Sequence, residues 1–385
     1  MKIIKKTLWA LLIIFLVVFV GTAGILCYFT VKDYQPAPTE NIVIKPNARL
    51  QQIDSVPVTL ITWNIGYCGL DKDMDFFYDG GKKVRPDETV FQKNLNGVFD
   101  FLNKNDSIDF FLLQEVDTFS KRSYYTNQVT LFAKALQRHS YGFATNYNVE
   151  FVPLPVLKPM GQVQSGIATF SKYAPSESRR YSYPVNYSWP MKIFMLDRCF
   201  MMQRYKLSSG NKELVLINLH NSAFSDADLL RQYELWMLRG FLLDEYAKGN
   251  YVIVGGDWNQ NTPDYDHLSF SGYNKKTGLP KIPADYLPGG WNYAHDTLLP
   301  TNRDVNTAYQ KRVTPTTIYD FFITSPNVYV EQVRVINCDF EFADHQPVYM
   351  RVWLTNDKAE NTITILQDSI QRLNEKIDPK KYKVK

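Results

Sequence analysis

Four short stretches bring acids, amides and a histidine to the ends of apolar runs: Thr62-Trp63-Asn64, Leu113-Gln114-Glu115, Gly256-Asp257-Trp258-Asn259 and Asp344-His345. Cutting a phosphate ester needs a base for the attacking water and a donor for the phosphoryl or leaving oxygen. The chain has five histidines. His220 ends the run Leu214-Val215-Leu216-Ile217-Asn218-Leu219, and His345 follows Asp344 just before another apolar run. Two imidazoles from separate strand ends fit the need, provided neighbouring carboxylates orient them and hold a metal. Mg²⁺ takes oxygen ligands and keeps several waters, so one or two carboxylates suffice. Glu115, just beyond the run Phe110–Leu113, is the leading ligand. Asp257 and Asn259 alternate, so both can face one cleft while Trp258 packs the other way. Gly255-Gly256 permits close backbone approach there. The Asn64 amide can donate to a phosphate or accept from a metal-bound water. Singly these signals are weak, since an Asp after a buried strand is often a cap or turn residue. Their weight lies in recurring, in order, at the ends of apolar strands.

The elements that must deliver these groups follow from periodicity. Strands are expected near Val58–Trp63, Ile108–Leu113, Tyr141–Thr145, Gly166–Phe170, Met195–Tyr205, Glu213–Leu219, Tyr251–Val254, Ile318–Ile323, Val330–Val335 and Pro347–Leu354. Helices are expected over Thr89–Leu102, Val129–Leu136 and Asp226–Tyr246. Strands in hairpin-like succession with a few long helices predict two packed mixed sheets flanked by helices. Lys358–Ile377 carries an apolar seam of about two heptads, fewer than a coiled coil needs, so docking on the domain is expected before a dimer contact.

The first fifty residues differ in kind. Leu8 to Val31 is uncharged and almost wholly apolar, long enough to cross a hydrocarbon core of roughly 30 Å as a helix. Lys2, Lys5 and Lys6 precede it, which keeps the amino terminus cytoplasmic and exports the rest. Thr22-Ala23-Gly24 offers a signal-peptidase reading, but the apolar run continues through Phe29, so an uncleaved anchor is favoured. The expected domains are an anchor over 1–33, an extended linker over 34–56, a catalytic α/β domain over 57–356, and a C-terminal helix with a basic tail over 357–385. The formal net charge of +4 resides in the first fifty residues, and residues 51–377 stand near −3. A duplex-binding protein usually needs a basic face, so that balance argues against one. Cys27 lies in the anchor, and Cys68, Cys199 and Cys338 have no metal-ligand spacing, so all three read as small buried residues.

The motifs TWNI, LLQEVD, INLH, GGDWNQ, IYDFFITSP and ADHQPV, spread from Val58 to Leu354, resemble those of the endonuclease/exonuclease/phosphatase superfamily, the DNase I-like fold. The resemblance implies a four-layer α/β sandwich with its cleft between the sheets. It implies that Glu115 binds Mg²⁺ with Asn64 and Asp344 assisting, Mn²⁺ or Ca²⁺ being the other candidates. It implies His345 as general base oriented by Asp320. Asp257 and Asn259 would position water and phosphate, and His220 would donate to the phosphate or leaving group. Trp258 stands where a Phe is usual, and Ala343 where Ser is common.

Three residues local to this chain are further substrate-binding candidates. Lys82 follows the turn residues Gly80-Gly81, Arg122 lies seven residues after Glu115, and Ser165 heads a strand. For each, a solvated loop residue is the competing reading. The expected activity is a membrane-tethered, Mg²⁺-dependent phosphodiesterase or phosphatase outside the cytoplasm, leaning toward a lipid head group or small phosphoester. An extracytoplasmic DNase I-like endonuclease is the alternative. An inactive binding domain of the same fold would lack the base or a metal ligand, and here each position is filled. Beyond substrate and membrane no partner is expected, and the chain reads as a monomer.

Overall fold

The computed structural model describes residues 2–48, 51–54, 57–208, 210–223 and 228–354. The seam over Lys358–Ile377 and the basic tail lie outside them. In chain order come α1 (Lys2–Lys32), β1 (Thr39–Asn41), β2 (Val58–Asn64), α2 (Glu88–Lys104), β3 (Phe110–Asp117), α3 (Gln128–Ala135), β4 (Ser140–Val152) and β5 (Gly161–Ser171). They are followed by β6 (Glu177–Ser182), β7 (Cys199–Lys206), β8 (Glu213–His220), α4 (Asp228–Ala247) and β9 (Tyr251–Asp257). The remainder is β10 (Asn274–Lys275), β11 (Asn292–Ala294), β12 (Asn302–Arg303), β13 (Pro315–Thr317), β14 (Asp320–Thr324), β15 (Val328–Val335) and β16 (Val348–Leu354).

Two mixed sheets form, ordered β1-β6-β7-β8-β9-β14-β11 and β15-β16-β2-β3-β5-β4, with a small third sheet β10-β13-β12. Period-two alternation makes them a sandwich. Along β3, Phe110 and Leu112 face an inner layer shared with Leu216 and Ile253, whereas Phe111 and Leu113 face Phe91, Val98 and Phe132 of α2 and α3. Along β9, Ile253 points inward, and Val252 and Val254 point out toward Leu238 and Leu242 of α4. Each such fully buried side chain contributes about 1.5–3 kcal/mol. The result is helix, sheet, sheet, helix: the four-layer DNase I-like sandwich.

β2 with β3, and β8 with β9, are parallel pairs, so their carboxyl ends emerge on one edge of the sandwich. β14 runs antiparallel to β9 and sets Asp320 opposite Asp257.

Several expected boundaries shift. The strand expected over Met195–Tyr205 begins at Cys199, because Met191–Phe194 forms a 3-10 turn after Pro190. β4 and β5 extend well past their expected ends, paired as far as Val152 and Gly161. The segment expected as a linker without a core of its own lies against the domain. β1 pairs with β6, Lys45 bridges to Tyr141, and Ile53 is buried in the inner layer. Its exposed prolines hid a scatter of pairing residues. α1 is a single apolar helix long enough to cross a membrane, its apolar window unburied by the domain. Cys68 and Cys199 are buried, Cys338 is half-buried, and none is paired.

His139 carries a consequence for acid stability. It is buried, its Nε2 lies 2.8 Å from the Ile108 carbonyl, and Nδ1 has no partner. Burial pushes its pKa down to about 4 from 6.5. Between those values the unfolded chain binds a proton that the folded form refuses. Stability therefore falls as pH drops through that window, by up to about 3 kcal/mol. Urea unfolding at pH 7 and pH 4.5 should show a smaller acid loss in His139→Gln, which keeps the donor but does not titrate.

Candidate active site

Asn64 closes β2, and its amide bridges two carboxylates, donating to Asp257 Oδ2 at 2.9 Å and Glu115 Oε1 at 3.2 Å. Its Oδ1 accepts from the Gly66 N–H at 3.0 Å, so the amide orientation is fixed. Glu115 does not simply leave the end of a strand. It occupies a bulge within β3, where pairing with β5 shifts between Leu113 and Val116, at φ +52°. The extra residue re-aims the side chain toward the cleft, at the strain of a left-handed conformation.

Asp257 is the hub. Its Oδ1 accepts from the Asn259 backbone N–H at 2.9 Å, and its Oδ2 lies 3.5 Å from His220 Nε2 and 3.7 Å from His345 Nε2. Gly256 before it is obligatory, because a Cβ there would sit 2.1 Å from the Leu219 carbonyl of β8. Trp258 turns the other way, stacked on Phe321 with ring planes 10° apart and its Nε1 donating to the Phe321 carbonyl. Asn259, at φ +49°, donates through Nδ2 to the Asn221 carbonyl at 2.9 Å.

His345 donates from Nδ1 to Asp320 Oδ2 at 2.7 Å, and Asn302 Nδ2 lies 2.9 Å from Nε2. Trp63 Nε1 donates to the His345 carbonyl and holds the loop down. Burial alone would lower the pKa of His345. Asp320, Asp257 and Asp344 outweigh it and hold the imidazole well above its ordinary value. His220 is the opposite case: burial first, then the charges of Arg198 and His345, push it well below, so it stays neutral. Two histidines of one cleft are thus poised apart, one to hold a proton and one to offer a neutral N–H.

Burial pushes Asp257 upward, and it pushes Asp344 up to about 7 with Glu115 adding to the repulsion. Asp344 Oδ1 is buried without a hydrogen-bond partner. An orphaned buried carboxylate beside the acid Glu115 is a donor set that fits a hard divalent cation. Asp257, Asp320 and His345 also bring ligand atoms within 4.8 Å of one another, but Asp320 is committed to the His345 ring. Asn64, expected as a third ligand, turns its Nδ2 toward the carboxylates and its Oδ1 toward the Gly66 N–H, so the oxygens left beside one another for a cation are those of Glu115 and Asp344.

Glu115, His220, Asp257, Asn259, Asp344 and His345 line a cleft of about 390 Å³, with Asn64 and Asp320 buried behind its wall. Ser165 and Arg122 are in its wall. Arg122 makes a two-pronged bond to Asp117 at 2.9 and 3.1 Å, lies over the Tyr67 ring, and reaches Ser165 Oγ at 3.3 Å. Against the pull of burial, Asp117 holds its pKa above the usual arginine value. Lys82 is not in the cleft. It lines a neighbouring cavity with Lys83, Arg85 and Lys121, because the turn at Gly80 carries the chain outward. Sequence reasoning missed Asn302, which sits in a two-residue strand without an apolar run to flag it. It also missed Arg198, which faces the cleft and donates to the His220 carbonyl at 3.1 Å. The polar pair Asp197-Arg198, interrupting an apolar stretch, was the available signal.

Comparison with known proteins identifies the family. The model of the Endonuclease/Exonuclease/phosphatase family matches residues 61–345. No curated protein matches the chain. Among solved structures, it resembles an endonuclease/exonuclease/phosphatase from Beutenbergia cavernae at 16% identity and TM-score 0.51, covering 78% of this chain and 72% of that one. It also resembles an endonuclease/exonuclease/phosphatase from Bacteroides vulgatus (16% identity, TM-score 0.48, 78% and 99% covered). A truncated TDP2 from Caenorhabditis elegans is similar too (14% identity, TM-score 0.47, 78% and 99% covered). At such identities the first of these speaks for the fold alone.

Proposed function

This chain belongs to the endonuclease/exonuclease/phosphatase family, and from that membership we propose that it is a membrane-tethered, divalent-metal-dependent phosphoester hydrolase acting outside the cytoplasm. The observation that carries the chemistry is the His345–Asp320 pair, 2.7 Å apart, with Nε2 turned into a cleft shared with Asp257 and His220. In this reading His345 Nε2 takes a proton from the attacking water, and Asp320 steadies the imidazolium through Nδ1. Asp257 and Asn259 orient water and phosphate. His220, held neutral, donates to a phosphoryl or leaving oxygen. Glu115 and Asp344 would hold the cation, Mg²⁺ by preference for oxygen ligands, while the Asn64 amide steadies Glu115 through Nδ2. When bound it would polarise the phosphoryl group and neutralise Asp344, one of the three carboxylates that raise the His345 pKa. Arg198 and Lys276 add positive charge to the cleft wall, suited to a phosphate.

A lipid head group or small phosphoester is the favoured substrate. Leu70, Phe76, Met195 and Leu196 share the cleft with the charged groups, and residues 51–377 carry no excess of basic charge. The helix α1 reads as an uncleaved anchor, because its last turn is packed on the domain, with Tyr28 donating to Glu150 at 2.6 Å.

The test is the full chain in nanodiscs, with Mg²⁺ or EDTA, assayed on sphingomyelin and phospholipid, on phosphate monoesters and on plasmid DNA. Metal-dependent release from lipid or monoester that vanishes in His345→Ala is expected. Plasmid nicking with the other substrates untouched would make the chain a tethered nuclease and overturn the substrate assignment.

A further inference from the structure

The last turn of α1 meets two parts of the domain. Phe29 stacks on Phe151 of β4 at 6.3 Å and edges Phe194 at 5.8 Å. Trp189 Nε1 donates to Thr30 Oγ1 at 3.0 Å, and Lys192 lies 3.7 Å from Asp33. A helix leaving a bilayer at Tyr28–Asp33 would hold both parts at the level of the head groups. There the β4–β5 hairpin exposes apolar side chains that none of the described residues covers: Val156 at 79% and Leu157 at 95%, with Leu154 at 46%. The neighbouring loop exposes Trp189 at 55% and Met191 at 54%.

Singly exposed apolar residues are ordinary, but these share one place beside an apolar helix. An aromatic ring and aliphatic side chains flanked by basic residues are the composition of an interfacial anchor. Lys158 follows the tip, and the adjoining cavity is lined by Lys82, Lys83, Arg85 and Lys121 as well as Asp71, Asp73 and Asp87. Both parts also reach the catalytic cleft. The hairpin lines it with Tyr147, Met160 and Ser165, and the loop lines it with Met195, Leu196 and Arg198.

We propose that the tip of the β4–β5 hairpin, with the Trp189–Met191 loop, is a second membrane contact that inserts into the bilayer crossed by α1 and turns the catalytic cleft toward its head groups. The proposal rests on the anchored lipid-facing reading above and adds an orientation to it. A single transmembrane helix, even one docked on its domain, can still turn about its own axis and tilt, carrying the domain with it. A second apolar contact removes that freedom, so a substrate in the membrane meets one wall of the cleft.

The experiment uses the full chain in phosphatidylcholine and phosphatidylglycerol nanodiscs, with Cys27 and Cys338 replaced by serine. A nitroxide is attached at Leu157→Cys or, as a control, at Tyr329→Cys, an exposed position on β15. The Leu157 label should collide with oxygen about tenfold more often, relative to a water-soluble nickel chelate, than the control label does. Equal ratios at the two sites overturn the proposal. Shielding of the Leu157 label from both reagents also overturns it, because protein, either a second copy or residues 355–385, then covers the tip. In parallel, Val156→Asp/Leu157→Asp should lower hydrolysis of bilayer phospholipid about tenfold while leaving a water-soluble phosphodiester within about twofold. An inserted label without lipid hydrolysis would keep the docking and refute the lipid substrate. Lipid hydrolysis with the label in water would do the reverse.

Discussion

His345→Ala is expected to lower kcat/KM roughly a thousandfold, the loss that removal of the proposed general base would bring. The imidazole is positioned from both sides, by Asp320 at Nδ1 and by Asn302 near Nε2. The loop keeps its place, because Trp63 bonds the backbone carbonyl of residue 345 rather than the ring. The substitution does leave Asp320, fully buried, without its ring partner. Removing one member of a buried pair costs about 3 kcal/mol. The double variant His345→Ala/Asp320→Asn should therefore regain most of the lost stability in urea while regaining none of the rate. Near-parental turnover in purified His345→Ala would dispose of the mechanism. A double variant no more stable than the single would dispose of the buried-charge account.

Glu115→Gly pulls the two properties further apart. It removes the leading cation ligand, and the loss in kcat/KM is expected to reach roughly a thousandfold, with weaker Mg²⁺ binding by calorimetry. Stability should stay level or rise. Residue 115 is held at φ +52°, where a non-glycine residue pays about 1–2 kcal/mol and glycine does not. The change also removes a charge that repels the buried Asp344. Glu115→Ala keeps the strain and should melt below Glu115→Gly while being equally inactive. Reversal of that order would mean that the bulge is not where the strain resides.

The sequence made the strand ends legible because parallel strands must finish on one edge, and polar residues after an apolar run mark where each finishes. That located Asn64, His220 and Asp257 and the two-sheet architecture behind them, while the Asp344-His345 pair was marked by the apolar run that follows it. Glu115 was found by type but not by conformation, since a bulge leaves no trace in FFLLQEVD. Asn302 was invisible because its role depends on a bridge to His345 across more than forty residues, and only the folded chain sets that distance. Lys82 was drawn into the cleft by nearness in sequence to Asn64, yet one left-handed turn at Gly80 sends it next door. The pinning of residues 39–45 and of Ile53 was unreadable because three short pairings, each trivial alone, do the work.

The order β15-β16-β2-β3 places the late strand β16 directly against the early strand β2. Nearly three hundred residues separate Asn64 from His345, and each reaches the cleft only when that seam closes. On the proposed mechanism, a growing chain would therefore lack both the base and the paired carboxylates until the ends of the domain have met. Closing the seam would then be the on-switch, and a truncation before residue 345 is expected to be silent rather than slow.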